Sequence, residues 1–339
     1  MNIAFTNIYG SVYERDGLFD EKQCKIGENL LLPLITLKRE LVKAGHTVHT
    51  IDMYPDIKAI DIFVFQDVPA SIITPINYKD YIKLSLKRLK KNDMFYSIVK
   101  QTKKEQRILI IAEPEVVNPR SYIVKYHKYF GKIATWNTSL INEYGYSQYC
   151  YPQPVPSKSY IKDYKQKKFC TIICGNKTSA EKNELYSERR KIIDYLENST
   201  YEFDLYGFGW EKEGLKNYKG TTAHKLETLS NYKYCICYEN MCNTHGYITE
   251  KIFDCFFSGT IPIYWGADDI EDYIPASCYI DRRAFDTDAS LLDYINQIQE
   301  SEYNSYINSA KKYLKSDKFN NTFSVNAYIA NMKKLILDY

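Results

Sequence analysis

The chain is expected to be an α/β protein of two Rossmann-type domains, each a doubly wound parallel sheet, and three observations carry that expectation. Short apolar runs of strand character alternate with amphipathic stretches of helical period from one end to the other. Near the middle, Pro152, Pro154 and Pro156 followed by Ser157-Lys158-Ser159 interrupt the alternation and read as a linker. A length of 339 residues lets each of two domains bury its own core. The expected division is an N-terminal domain over 1–155, a linker over 156–167, a C-terminal domain over 168–315, and a last helix over 316–339 that packs back on the first domain.

In the N-terminal half, strands are expected at 1–10 and 46–52 around a helix at about 28–44, with Gly45 as its C-cap. Residues 61–66 read as a buried strand, 76–103 as helices separated at Asn92-Asp93, and 107–112 as a further strand. A helix at 120–129 and a short strand at 132–136 follow. In the second half, the βα series runs through strand 169–174, helix 181–197, strand 202–206 and helix 224–231. Helices at 289–299, about 304–315 and 322–337 close it.

Composition excludes several classes. Forty-five basic residues nearly cancel 42 acidic ones, and their alternation offers no contiguous basic face for nucleic acid. High apolar and aromatic content, with 33 Tyr, argues against disorder. No apolar run approaches the ~18 residues of a membrane-spanning helix, and residues 1–7 read as a strand with no signal-peptide architecture. Nine scattered cysteines lack zinc-knuckle spacing and suit free thiols in a reducing cytoplasm. No metal site is expected: Asp286-Thr287-Asp288 has a D-x-D form but reads as a helix N-terminal cap cluster.

Residues 232–266 are the most informative segment. A strand at 234–237 leads into Glu239, Asn240 and a polar loop ending at Gly246; an amphipathic stretch at 248–257 and a second strand at 261–264 follow. In open parallel sheets, ligands bind beyond the carboxyl ends of strands and near helix N-termini, where Asn240, Tyr247, Thr249, Glu250 and Lys251 fall. A helix N-terminus offers free N–H groups to a diphosphate, Lys251 a full positive charge, and Glu250 a carboxylate for ribose or sugar hydroxyls. Taken alone, Glu250-Lys251 would also suit an ordinary solvated helix start.

The whole string resembles the donor-binding signature of the α1,3/α1,4-fucosyltransferases, glycosyltransferase family 10. Tyr232, Lys233, Glu239, Asn240, Gly246, Tyr247, Thr249, Glu250, Lys251, Asp254, Phe256 and Pro262 through Gly266 match the family pattern. The segment from Arg189 through Leu196, with the strand ending Tyr206-Gly207, resembles the family's second donor segment and places Arg189 rather than Arg190 on its diphosphate-binding arginine. Without the resemblance, both would read as surface basic residues of an amphipathic helix.

The resemblance implies a GT-B-like architecture with a cleft between the two domains and closure during turnover. It implies inverting transfer of fucose from GDP-fucose to a hydroxyl of an oligosaccharide or glycolipid acceptor. Glu113, after strand 107–112 and held extended by Pro114, matches the family's post-strand catalytic base; Glu115 competes with it. Asn240, Tyr247 and Glu250 would hold donor hydroxyls, while Arg189 and Lys251 neutralise the leaving diphosphate. Asn176 and Lys177, in a strand-to-helix loop too poor in glycine for a phosphate cradle, are weaker candidates, as is Thr249. No cofactor is required, and a divalent metal would at most stimulate. The loop 241–246 departs from the family's usual residues, and the heptad repeats and basic tail of some bacterial members are missing. A cytoplasmic enzyme of a bacterium or virus, acting on a surface glycan and at most peripherally bound to membrane, is the expectation. Its alternatives are another nucleotide-sugar donor on the same fold, or a non-catalytic glycan- or nucleotide-binding paralogue.

Overall fold

The computed structural model describes residues 1–6, 13–23, 29–69 and 94–338. Residues 7–10 of the expected first strand, the start of the helix expected from 28, and 76–93 of the expected helical segment lie outside the described residues. The chain divides into two units: 1–25, 31–149 and 329–339 form the first, and 26–30 with 150–328 form the second.

The first unit carries six parallel strands: β1 (Asn2–Thr6), β2 (Thr47–Thr50), β3 (Ile62–Gln66), β4 (Arg107–Ile111), β5 (Lys132–Thr135) and β6 (Ser147–Gln148), in the order β2-β1-β3-β4-β5-β6. Every residue of β4 is buried, as expected of a central parallel strand covered on both faces. Helices α1 (Leu32–Lys43) and α2 (Met94–Gln101) belong to this unit, with Leu37, Leu41, Phe95 and Ile98 buried. The helix expected at 120–129 is instead two 3₁₀ segments, Pro119–Tyr122 and Val124–Tyr129. His127 holds that shape by bonding the Ser121 carbonyl at 2.8 Å and the Tyr146 hydroxyl at 2.8 Å. Helix α3 (Thr138–Tyr144) escaped sequence reading, although it is capped by the Asn137 side chain and ended by Gly145 at φ 68°.

The second unit carries β7 (Lys168–Ile173), β8 (Phe203–Tyr206), β9 (Tyr232–Tyr238), β10 (Ile261–Trp265) and β11 (Ile280–Asp281), all parallel, in the order β11-β10-β9-β7-β8. Helix α4 (Tyr186–Glu197) begins later than expected because Asn183 takes φ 69° and the Glu184 carboxylate accepts the Tyr186 and Ser187 N–H groups. The helices α5 (Lys225–Leu229), α6 (Glu250–Ser258), α7 (Asp288–Gln297), α8 (Glu300–Tyr313), α9 (Asp317–Thr322) and α10 (Val325–Leu337) follow. Thr287 caps α7, accepting the Ser290 N–H, so the D-x-D run is a cap.

The segment 150–167, expected to be partly linker, is integrated into the second unit. Gln153 N–H donates to the Phe323 carbonyl at 2.7 Å, and the Lys167 ammonium reaches the Gly259 carbonyl at 2.7 Å at the end of α6. Residues 316–328 belong to the same unit, whereas 329–339 join the first, where Lys132 Nζ donates to the Leu335 carbonyl at 2.9 Å. The apolar face of α6 is locked by Phe253, which is wholly buried with its ring against Phe256, Phe319 and Phe323. Truncating it leaves a cavity the α9 rings cannot fill: Phe253→Ala is expected to lower unfolding free energy by about 3–5 kcal/mol in denaturant titration.

Candidate functional site

The carboxyl ends of β7 and β9 and the N-terminus of α6 enclose a pocket lined by Cys174, Arg189, Lys225, Tyr238 and Lys251, together with apolar strand residues. Three cations therefore line one pocket at the carboxyl end of the sheet, although they come from three separate helices. Each is held by chemistry the fold supplies.

Arg189 lies on the inner face of α4 and is only 5% exposed. One guanidinium nitrogen donates to the Tyr238 carbonyl at 2.7 Å and to Asn240 Oδ1 at 3.0 Å. Arg190 faces outward, paired with Asp194 and Glu213 over the Trp210 ring. Burial and partners thus separate two adjacent arginines.

Lys251 is anchored by Glu239, which has no solvent exposure. Glu239 Oε1 accepts the Thr249 N–H at 2.8 Å, and Oε2 accepts the Thr249 hydroxyl at 2.8 Å and the Lys251 ammonium at 3.0 Å. Thr249 is the N-cap of α6. Burial pulls the Lys251 ammonium down, but Glu239 and Glu250 outweigh it and leave its pKa above the ordinary value. Gly266 passes so close that a Cβ there would lie 2.5 Å from the Tyr264 hydroxyl and 2.6 Å from Glu239 Cγ.

Lys225 went unnoticed in the sequence, where it is one lysine among many. It pairs with Asp254 at 2.6 Å and reaches Glu250 at 3.9 Å. Burial lowers its pKa, yet Asp254 and Glu250 raise it further. Glu250 opens α6 with a partly exposed side chain; burial pushes its carboxyl up, and Lys251 and Lys225 more than reverse that. Asn240 stands between Arg189 and the Leu185 N–H, which its carbonyl accepts at 3.0 Å. Tyr247, expected to hold donor hydroxyls, is 1% exposed, with its ring edge-on to Tyr151. Asn176 is committed to the loop after β8, donating to the Gly209 carbonyl at 3.0 Å and to Glu213 at 3.1 Å, while Lys177 is exposed. His245 sits 3.9 Å from Asp269.

In the first unit, Glu113 follows β4 and is half-buried, whereas Glu115 is exposed. The Glu113 N–H donates to both Asp67 oxygens at 3.1–3.2 Å, and its carbonyl accepts the Tyr122 hydroxyl at 3.0 Å. Asp67, at the end of β3, is 2% exposed, takes φ 63° and also accepts the Ser121 hydroxyl at 3.0 Å. Burial, with the Glu113 charge, pushes its pKa up to about 8. Its one sequence signal was position: an acid directly after a buried strand. Among the described residues, no group of three or more His, Cys, Asp or Glu side chains is placed to hold a metal.

The family model for the C-terminal part of glycosyltransferase family 10 (fucosyltransferase) matches residues 162–334, just over half the chain, and the chain belongs to that family. It is 40% identical over 85 residues to the α-(1,3)-fucosyltransferase FucT of Helicobacter pylori, covering 25% of this chain and 17% of that one. It is 32% identical over 132 residues to an α-(1,4)-fucosyltransferase of Arabidopsis thaliana, covering 34% and 33%. The chain thus spans a third or less of the length of these relatives. In structure it is similar to an α1,3-fucosyltransferase solved with GDP (TM-score 0.55, 16% identity, 99% of this chain and 90% of that one). It is likewise similar to the T4 phage β-glucosyltransferase (TM-score 0.56, 12% identity, 99% and 100%). These likenesses show a GT-B-like fold of two parallel sheets.

Two outcomes are expected. A folded-state pKa above the unfolded one means that the Asp67 contribution to stability is complete below about pH 4 and is lost as pH rises through about 8. Denaturation midpoints of Asp67→Asn should therefore gain on the parent between those limits. Gly266→Ala should destabilise by roughly 2 kcal/mol or more through the clash with Tyr264 and Glu239, read as a fall in melting temperature.

Proposed function

We propose that this chain is an inverting fucosyltransferase that moves fucose from GDP-fucose to a hydroxyl of an acceptor glycan in α1,3 or α1,4 linkage. The observation that supports this most directly is the convergence of Arg189, Lys225 and Lys251 on one pocket inside the segment the family model matches. Fixed cations beside a helix N-terminus suit a nucleoside diphosphate: they bind it and stabilise the charge that grows as it departs. Arg189 spends one nitrogen on Tyr238 and Asn240, which orients the rest of its planar fork for phosphate oxygens.

Asn240 and Glu250 are read as partners of donor hydroxyls, with Tyr247 as the wall behind them. Inversion needs one carboxylate to take the acceptor proton while the hydroxyl attacks the anomeric carbon. Glu113 fills that role in this reading, since its peptide is pinned by Asp67 at a strand carboxyl end. The acceptor is read as a surface oligosaccharide or glycolipid of a bacterium or virus, and the setting as cytoplasmic, in keeping with eight free cysteines among the described residues.

Incubation with GDP-fucose, other nucleotide sugars and a small glycan panel should give, by product mass, addition of one deoxyhexose with GDP-fucose alone. Glu113→Gln is expected to lower turnover by roughly 10²–10⁴-fold while GDP binding persists; Arg189→Ala should weaken GDP binding about tenfold or more. Transfer from UDP-glucose instead, or unchanged turnover in Glu113→Gln, would refute the respective assignment.

A further inference from the structure

The geometry points to Glu239 as a positioning residue that holds the Lys251 ammonium in place toward an anionic phosphate, an inference that rests on the donor-site reading above. Glu239 itself has no solvent exposure and cannot touch a substrate. Its carboxylate accepts hydrogen bonds from the Thr249 N–H at 2.8 Å, the Thr249 hydroxyl at 2.8–2.9 Å and the Lys251 ammonium at 3.0 Å. Burying such a group is costly unless donors and a cation surround it, and here they do.

The pairing also aims the lysine. Two of its three N–H bonds go to Glu239 Oε2 and Thr249 Oγ1, each at 3.0 Å, and the third is left to point elsewhere. The Lys251 side chain retains 24% exposure and lines the pocket that Arg189 and Lys225 also line. The other charges acting on it are Glu250 at 3.8 Å, which adds to the hold of Glu239, and the repelling Arg189 and Lys225. Without Glu239, two cations would push Lys251 away from the pocket, and only the neutral Thr249 hydroxyl and a partly exposed Glu250 would retain it. The backbone enforces the arrangement, because Gly266 leaves room for the Glu239 methylene that no larger residue would.

Glutamine cannot replace Glu239. Its carboxamide NH₂ would face the Lys251 ammonium in one orientation and the Thr249 N–H in the other, donor against donor in both. Glu239→Gln should therefore release Lys251 while changing volume little. The loss of a charge-assisted hydrogen bond that orients a ligand group corresponds to GDP binding weaker by roughly ten- to a hundredfold.

The test has two independent readouts. In an NMR titration of lysine side chains, with the Lys251 signal identified by its disappearance in Lys251→Met, the Lys251 titration point should move down in Glu239→Gln. By calorimetry, Glu239→Gln should weaken GDP binding to the parent protein yet add little in a Lys251→Met background; equal losses in both backgrounds would reveal a merely structural role and overturn the inference. Should Glu239→Gln fail to fold, the near-isosteric Thr249→Val should weaken GDP binding several-fold and Thr249→Ser should restore it. An unmoved Lys251 titration, or GDP affinity unchanged in both Glu239→Gln and Thr249→Val, also overturns it. A parent protein that shows the titration shift but binds no GDP would refute the donor assignment and leave the positioning role standing.

Discussion

A carboxylate with no exposure to solvent must be neutralised where it stands, and the second unit is organised around that demand. Glu239 sits at the end of β9, where strand hydrogen bonding to Trp265 continues through its own N–H. Its side chain turns inward and collects the N-cap threonine and the first lysine of α6. The helix start, the loop before it and the strand end are thereby fixed to one another. Desolvating a single charge costs several kcal/mol unless donors surround it, so the register of α6 against β9 is not free to slip.

A second consequence concerns the neighbouring charges. Glu239, Lys251, Glu250, Lys225 and Asp254 form a chain of alternating sign running from the interior to the pocket rim. Each member is partnered, and with three carboxylates to two lysines the chain brings its cations to the pocket by placement and not by an excess of lysines. Arg189 reaches the same pocket from another helix and is kept on station by a backbone carbonyl. In the first unit the same logic works in reverse. Burial of Asp67, with the Glu113 charge close by, outweighs the hydroxyl and amide donors around it, so its carboxyl holds its proton to unusually high pH.

Much of this was legible in the sequence because parallel strands in a covered sheet are continuous apolar runs. Strands β3, β4, β7 and β8 were recognisable to within a residue or so, as was the strand–loop–helix–strand course of 232–266. The 3₁₀ segments at 119–129 were not, since their shape depends on His127 bonding Ser121 and Tyr146, contacts that no local pattern encodes. Helix α4 began late because of a left-handed Asn183 and a capping Glu184, and 156–167 read as a linker because nothing local shows the Lys167 bond to the end of α6 or, just before that segment, the Gln153 bond to Phe323.

The sequence by itself determined the α/β class, the two parallel sheets and the set of polar residues at strand ends and helix starts, because these follow from local periodicity and from one dense motif. Only the tertiary structure decided which of those residues meet. It separated Arg189 from Arg190 by burial, drew Lys225 and Asp67 out of anonymity, and turned Tyr247 inward against Tyr151. The physical reason is that burial and partnership are properties of packing between elements distant in the chain, and charge acquires its effect only once the solvent around it is known.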